Sequence, residues 1–102
     1  EGLALAEAAG VDMSQTLEIL RSSPAASRVM DTKGPLMCER QFVPPQARLR
    51  QHRKDVALIA QLGESLSQRL PLTQLHAQLL DEALDAGWGE EDNSAIFKVF
   101  RS

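Results

Sequence analysis

The sequence predicts an all-α fold, a bundle of about five or six helices joined by short loops. Three observations carry this expectation. No segment sustains the period-two alternation of a half-buried strand. Apolar residues recur instead at three- and four-residue spacing over several stretches. Gly, Pro, Ser and Asp stand between those stretches in capping and breaking positions.

Glu1 to Ala9 alternates Leu and Ala with two glutamates, a strong helix-forming composition. Gly10 is placed to end that helix in a left-handed cap. Asp12 then caps a second helix, with Gln15 three residues on in capping-box spacing. Met13, Leu17 and Leu20 give its apolar face, flanked by Thr16 and Ile19, and it stops at Ser22-Ser23-Pro24. Ala25 to Glu39 is a third helical stretch, which Gly34-Pro35 is expected to break or kink because proline removes a donor and clashes with the preceding turn. Gln41 to Pro45 reads as a short extended loop.

The longest helical pattern runs from Ala47 to about Ser67. Val56, Ile59, Ala60, Gly63 and Leu66 form its stripe, widened by Leu58 and Leu62. Gly63 marks the expected close approach of another helix. Gln68-Arg69-Leu70-Pro71 is a connector, and Pro71 suits the first turn of a helix. Leu72, Leu75, Leu79, Leu80, Ala83 and Leu84 then share one broad face, which Gly87 ends. After a turn at Trp88-Gly89-Glu90-Glu91, Asp92 or Asn93 caps a last helix, Ser94 to Arg101, expected to bury Ile96, Val99 and Phe100.

The 102 residues suit one domain, with a hydrophobic fraction of 43% and a charged fraction of 25%, near globular averages. Only 4% of residues are aromatic and none is tyrosine, so the core must be aliphatic. A formal net charge of -3 argues against a nucleic-acid module. Cys38 is the single cysteine, which rules out an intrachain disulfide and makes a reducing, cytoplasmic setting the expectation. No apolar run approaches the roughly 18 to 20 residues of a membrane span, and no signal-peptide pattern is visible. The chain starts without methionine, in what reads as mid-helix, and is expected to be a fragment of something longer.

The chemistry concentrates in one basic segment, Arg48-Leu49-Arg50-Gln51-His52-Arg53-Lys54-Asp55. Read by itself it fits two roles: a stripe that binds an anion or a partner, or a solvated helix face whose arginines pair with acids, including those of a neighbouring subunit. Elsewhere candidates are few. His52 and His76 are the only histidines, and no Cys/His/Asp spacing resembles a zinc site. His76 lies on the apolar side of its helix and suits a core edge or an interface. Cys38 has no base partner and reads as a small packed side chain. Trp88, between two glycines, reads as a local cap over Leu84 or as an interface anchor.

Several short motifs, in order, resemble the C-terminal helical domain of the β-hydroxyacid dehydrogenases. They are the alanine-rich opening Glu1 to Gly10, Gly34-Pro35-Leu36-Met37, Lys54-Asp55-Val56, Leu70-Pro71-Leu72, and Gly87-Trp88-Gly89 with Asp92-Asn93-Ser94-Ala95. The resemblance covers the whole chain, residues 1–102. It implies a bundle of the 6-phosphogluconate dehydrogenase C-terminal-domain type. It also implies an upstream Rossmann domain that binds most of an NAD or NADP cofactor, since no Gly-x-Gly-x-x-Gly pattern occurs here. The parent reaction implied is hydride transfer between the nicotinamide and a short hydroxy carboxylate.

Within that frame the catalytic lysine lies upstream of Glu1, so this chain alone should be inactive. Lys54 is the implied cofactor-binding residue, reaching the nicotinamide end, and Asp55 faces the substrate region. The broad helical faces imply a homo-oligomer, a dimer or larger. One departure stands out. The family places an aromatic residue in a Pro-Gly-Phe-like run before Lys-Asp, and here Pro44-Pro45-Gln46-Ala47 stands in that place, which leaves space for Arg48 or Arg50 to reach a substrate anion. The alternative from a different class is a self-standing helical interaction module.

Overall fold

A computed structural model of the chain describes residues 1–101. Five α-helices, α1 (Gly2–Ala8), α2 (Met13–Arg21), α3 (Arg28–Glu39), α4 (Leu49–Ser65) and α5 (Pro71–Asp85), precede a closing 3₁₀ helix, Asn93–Arg101. The fold is all-α, as the periodicity predicts. Among the described residues the β-type pairing is confined to one antiparallel bridge between Arg48 and Asp92.

The start and stop signals act as expected in the first half. Gly10 takes φ +75 after α1. Asp12 caps α2, its carboxylate accepting from Gln15 N at 2.8 Å. Ser27, not residue 25, caps α3, its hydroxyl accepting from Met30 N. Arg40 ends that helix in the left-handed region at φ 53.

Gly34-Pro35 does not break α3, which runs from Arg28 through Glu39 with Pro35 inside it. A proline's fixed φ is itself helical, and the donor it lacks would have served the carbonyl four residues back, on exposed Asp31. Gly34 contributes in a different way. It is buried, and a Cβ there would stand 2.5 Å from Leu17 Cδ1. The missing side chain lets α3 pack closely on α2.

Gly63 makes a similar contact, though with a different neighbour from the one predicted. A Cβ there would meet Leu70 Cδ1 at 2.5 Å, so what approaches is the connector residue before α5 and not a second helix.

The core is aliphatic with two phenylalanines: Leu3, Ala4, Leu17, Phe42, Leu49, Val56, Leu80, Ala83, Ala95 and Phe97. Each fully buried large side chain contributes about 1.5–3 kcal/mol of transfer free energy. α4 packs most extensively on α5, and the 3₁₀ helix closes against both. That last helix buries Ser94, Ala95 and Phe97, while Ile96, Val99 and Phe100 are only half-buried. The predicted face assumed 3.6 residues per turn. Three per turn brings residues 94 and 97 into line instead.

The apolar stripe of α4 is wider than the core it meets. Val56 and Gly63 are buried, but Leu58, Ile59, Leu62 and Leu66 are exposed, and so are Leu72 and Leu75 at the start of α5. These six side chains share the α4–α5 hairpin.

Candidate functional site

The loop that leads into α4 is held from both sides. Asp92 N donates to Phe42 O and Asn93 N to Ala47 O, both at 2.8 Å. Leu49 N donates to Glu91 O and Arg50 N to Gly89 O, both at 2.9 Å. Residues 42–50 are therefore pinned along residues 89–93, and the direction in which α4 starts is fixed by backbone bonds.

Asp92 anchors this arrangement. It is fully buried. Its Oδ1 accepts from Lys33 Nζ at 2.9 Å, from Gln46 N at 2.9 Å and from Ala47 N at 3.2 Å. Its Oδ2 accepts from Ser94 N and from Ser94 Oγ. Burial alone would push this carboxyl up. The Ser94 hydrogen bonds, followed by those from Lys33 and the Ala47 amide, outweigh burial and hold it far below the usual carboxylate range. Of the two residues expected to cap the last helix, it is Asp92 whose carboxylate accepts from Ser94 N. The capping motif gives no hint of Lys33, or of the loop amides it ties to α3.

Beside this pinned loop lies a recess of about 500 Å³. It is lined by Pro45 and Gln46 of the loop, by Arg48 just before α4, by Arg50, Gln51 and Lys54 of its first turns, and by Glu90. Lys54 is exposed and lines the recess. Of the three lysines, Lys33 pairs with Asp92 and Lys98 with Glu91, whereas Lys54 makes no ion pair among the described residues. Its ammonium is available to a ligand.

Asp55 sits one residue further along, about 100° around the helix. It is not part of the recess lining. It is exposed and accepts from Gln51 Nε2 at 3.3 Å. It also lies close enough to His52 to act on its charge. Burial lowers the His52 pKa, His76 and Lys33 add to that, and Asp55 opposes it. His52 and His76 face each other across α4 and α5 with ring centroids 5.1 Å apart.

The arginines have partners within the chain. Arg48 Nε and Arg50 Nε each lie 3.2 Å from a Glu90 carboxylate oxygen. Arg53 is directed elsewhere, forking onto Asp81 of α5 at 2.7 and 3.1 Å. Phe42, the aromatic residue before the basic segment, is buried and so does not face the recess. Trp88 packs against the core with the Lys98 ammonium 4.1 Å from its ring centroid. Cys38 is half-buried, and burial, with Asp12 and Glu39 nearby, raises its thiol pKa, which disfavours the thiolate. Among the described residues no three His, Cys, Asp or Glu side chains are grouped to hold a metal ion. No helix is long and apolar enough to cross a membrane.

The chain is thus an all-α domain whose longest helix opens onto a recess lined by Arg48, Arg50 and Lys54. Comparison with known proteins makes the class definite. The family model described as the NAD-binding domain of NADP-dependent 3-hydroxyisobutyrate dehydrogenase matches residues 1–100, and the chain belongs to that family. Among solved structures it resembles a 3-hydroxyisobutyrate dehydrogenase from Salmonella typhimurium, with a TM-score of 0.90, 25% identity, and coverage of 95% of this chain and 34% of that one.

Among curated relatives it is 35% identical over 97 residues to the cytokine-like nuclear factor N-PAC of Aedes aegypti, covering 95% of this chain and 17% of that protein. It is 27% identical over 100 residues to the L-threonate dehydrogenase of Escherichia coli K12, covering 98% of this chain and 33% of that protein. The chain thus spans a third or less of the relatives it matches.

Proposed function

We propose that this chain is the C-terminal helical domain of an NAD(P)-dependent β-hydroxyacid dehydrogenase, acting with a Rossmann domain that precedes it. The observation that carries the reading is Lys54, a lysine with no ion pair among the described residues, on the wall of a recess whose backbone is pinned by Asp92. The residues present fit a nicotinamide and a carboxylate substrate. Lys54 offers a compact cation, and Gln46 and Gln51 offer amides beside it.

The nicotinamide, when bound, supplies the hydride acceptor. Lys54 orients the cofactor's amide end or the substrate carboxylate against it. Pro45 and Gln46 line the recess beside Lys54 and bound the space the ligand would enter. Asp55 meets the substrate region only if the paired domain brings substrate round to its side of α4. The catalytic lysine belongs to the preceding domain, so the chain by itself has no turnover.

The six exposed apolar side chains on the α4–α5 hairpin form the subunit contact of a homo-oligomer. A cytoplasmic setting goes with this reading, carried by the single cysteine.

The test is nicotinamide-dependent oxidation of a panel of short hydroxy acids by the full-length protein that carries these residues. Turnover with any of them, reduced at least tenfold by Lys54→Ala, is expected. A second reading is favoured by the 35% identity to a protein named as a nuclear factor, namely that the domain works as an interaction module. Cofactor binding without turnover on any hydroxy acid would support it.

A further inference from the structure

We infer that the recess beside α4 recognises a doubly anionic ligand: resting on the reading above, a short hydroxy acid that carries a second anionic group, carboxylate or phosphate, beyond the carboxylate that Lys54 meets. Three cations, Arg48, Arg50 and Lys54, line the recess against one carboxylate, Glu90. That is a local surplus of positive charge on a chain whose formal net charge is -3. A single substrate carboxylate on Lys54 would leave the two guanidiniums sharing one exposed carboxylate, that of Glu90.

The guanidiniums are placed for such a ligand. Arg50 lies across Gly89, its Nη2 2.6 Å from where a Cβ would stand, so the absence of a side chain at 89 creates its seat. Its backbone is tied to the same glycine. Arg48 pairs with the other carboxylate oxygen of Glu90. The Glu90 carboxylate, bridging both at 3.2 Å, occupies the position an incoming carboxylate or phosphate would take. Glu90 is 71% exposed on a turn, so its pairs are weak and readily exchanged for a ligand's. Arginine's planar fork suits either anion. The inference does not depend on the helix N-terminus, because the amides of Leu49 and Arg50 are already bonded to the 89–91 loop.

The test is an isothermal or NMR titration of the full-length protein that carries these residues, at low ionic strength, with malonate, inorganic phosphate and acetate. Malonate or phosphate binding at least tenfold tighter than acetate, weakened by added salt, is expected. The double variant Arg48→Gln, Arg50→Gln should lose that preference, and Glu90→Gln should tighten dianion binding. Equal affinity for malonate, phosphate and acetate overturns the inference, as does a folded double variant that keeps the preference. The two readings fail separately. Turnover of monoanionic hydroxy acids without dianion selectivity removes this inference alone. Selective dianion binding in a full-length protein without nicotinamide-dependent turnover removes the dehydrogenase reading.

Discussion

Lys33 Nζ stands 2.9 Å from Asp92 Oδ1, joining α3 to the last loop across 59 positions of sequence, on a carboxylate whose side chain is fully buried. The same oxygen holds the amides of Gln46 and Ala47. One buried charge therefore fixes α3, the 3₁₀ helix and the loop that aims α4. Together with the backbone bonds between residues 42–50 and 89–93, this lock holds the loop beside the recess.

Asp92→Ala should be among the most destabilising substitutions in the chain. It leaves the Lys33 ammonium, two loop amides and Ser94 without their acceptor. Removing one partner of a buried pair costs about 3–5 kcal/mol. Urea denaturation monitored by circular dichroism checks this, and a loss below about 1 kcal/mol would contradict the lock.

Acid should unfold the protein through the same group. The folded state holds the Asp92 pKa far below the ordinary value of about 3.9. A depressed carboxyl binds fewer protons in the folded than in the unfolded chain. Its stabilisation is thus fully present above about pH 4 and is lost as pH falls below it. His52 acts in the same direction in a higher window. Its folded pKa is also depressed, so its contribution is complete above about pH 6.5 and declines as pH falls from there. Denaturation midpoints measured from pH 8 to pH 2 should show both declines. His52→Leu should remove the upper one and leave the lower.

Gly34 should tolerate replacement by alanine less well than Gly2. Nothing lies within 4 Å of a Cβ at Gly2, so Gly2→Ala should be neutral or slightly stabilising. At Gly34 the new methyl meets buried Leu17 at 2.5 Å. Overpacking of that kind costs about 1–3 kcal/mol, which exceeds or cancels the roughly 1 kcal/mol that alanine gains in helix propensity. Thermal melts of the two variants make the comparison directly.

Local signals carried most of the architecture. The Asp12 cap, the left-handed turn at Gly10, Pro71 opening α5 and Gly87 closing it are all short-range chemistry, and each is found where the residues place it. What the sequence hid is long-range. Asp92 looked like a helix cap because its Ser94 contacts are local, while Lys33, Gln46 and Ala47 reach it across 45 to 59 positions. Pro35 reads as a breaker from its missing donor, but the carbonyl it leaves unbonded belongs to Asp31, which the fold leaves exposed. The arginines 48, 50 and 53 looked alike in sequence, yet the helix sends two of them to Glu90 and the third to Asp81. Lys54 was legible by resemblance. That it is the lysine without an ion pair among the described residues needed coordinates.

The central claim is that Lys54 serves a nicotinamide cofactor or its substrate. Steady-state kinetics of the full-length protein with Lys54→Ala, against native protein and Arg53→Ala as a control for a cation outside the recess, test it most directly. A charged contact is worth about 1.5–3 kcal/mol, so kcat/KM should fall at least tenfold with Lys54→Ala and little with Arg53→Ala. Unchanged kinetics for Lys54→Ala in a folded, active protein would contradict the account.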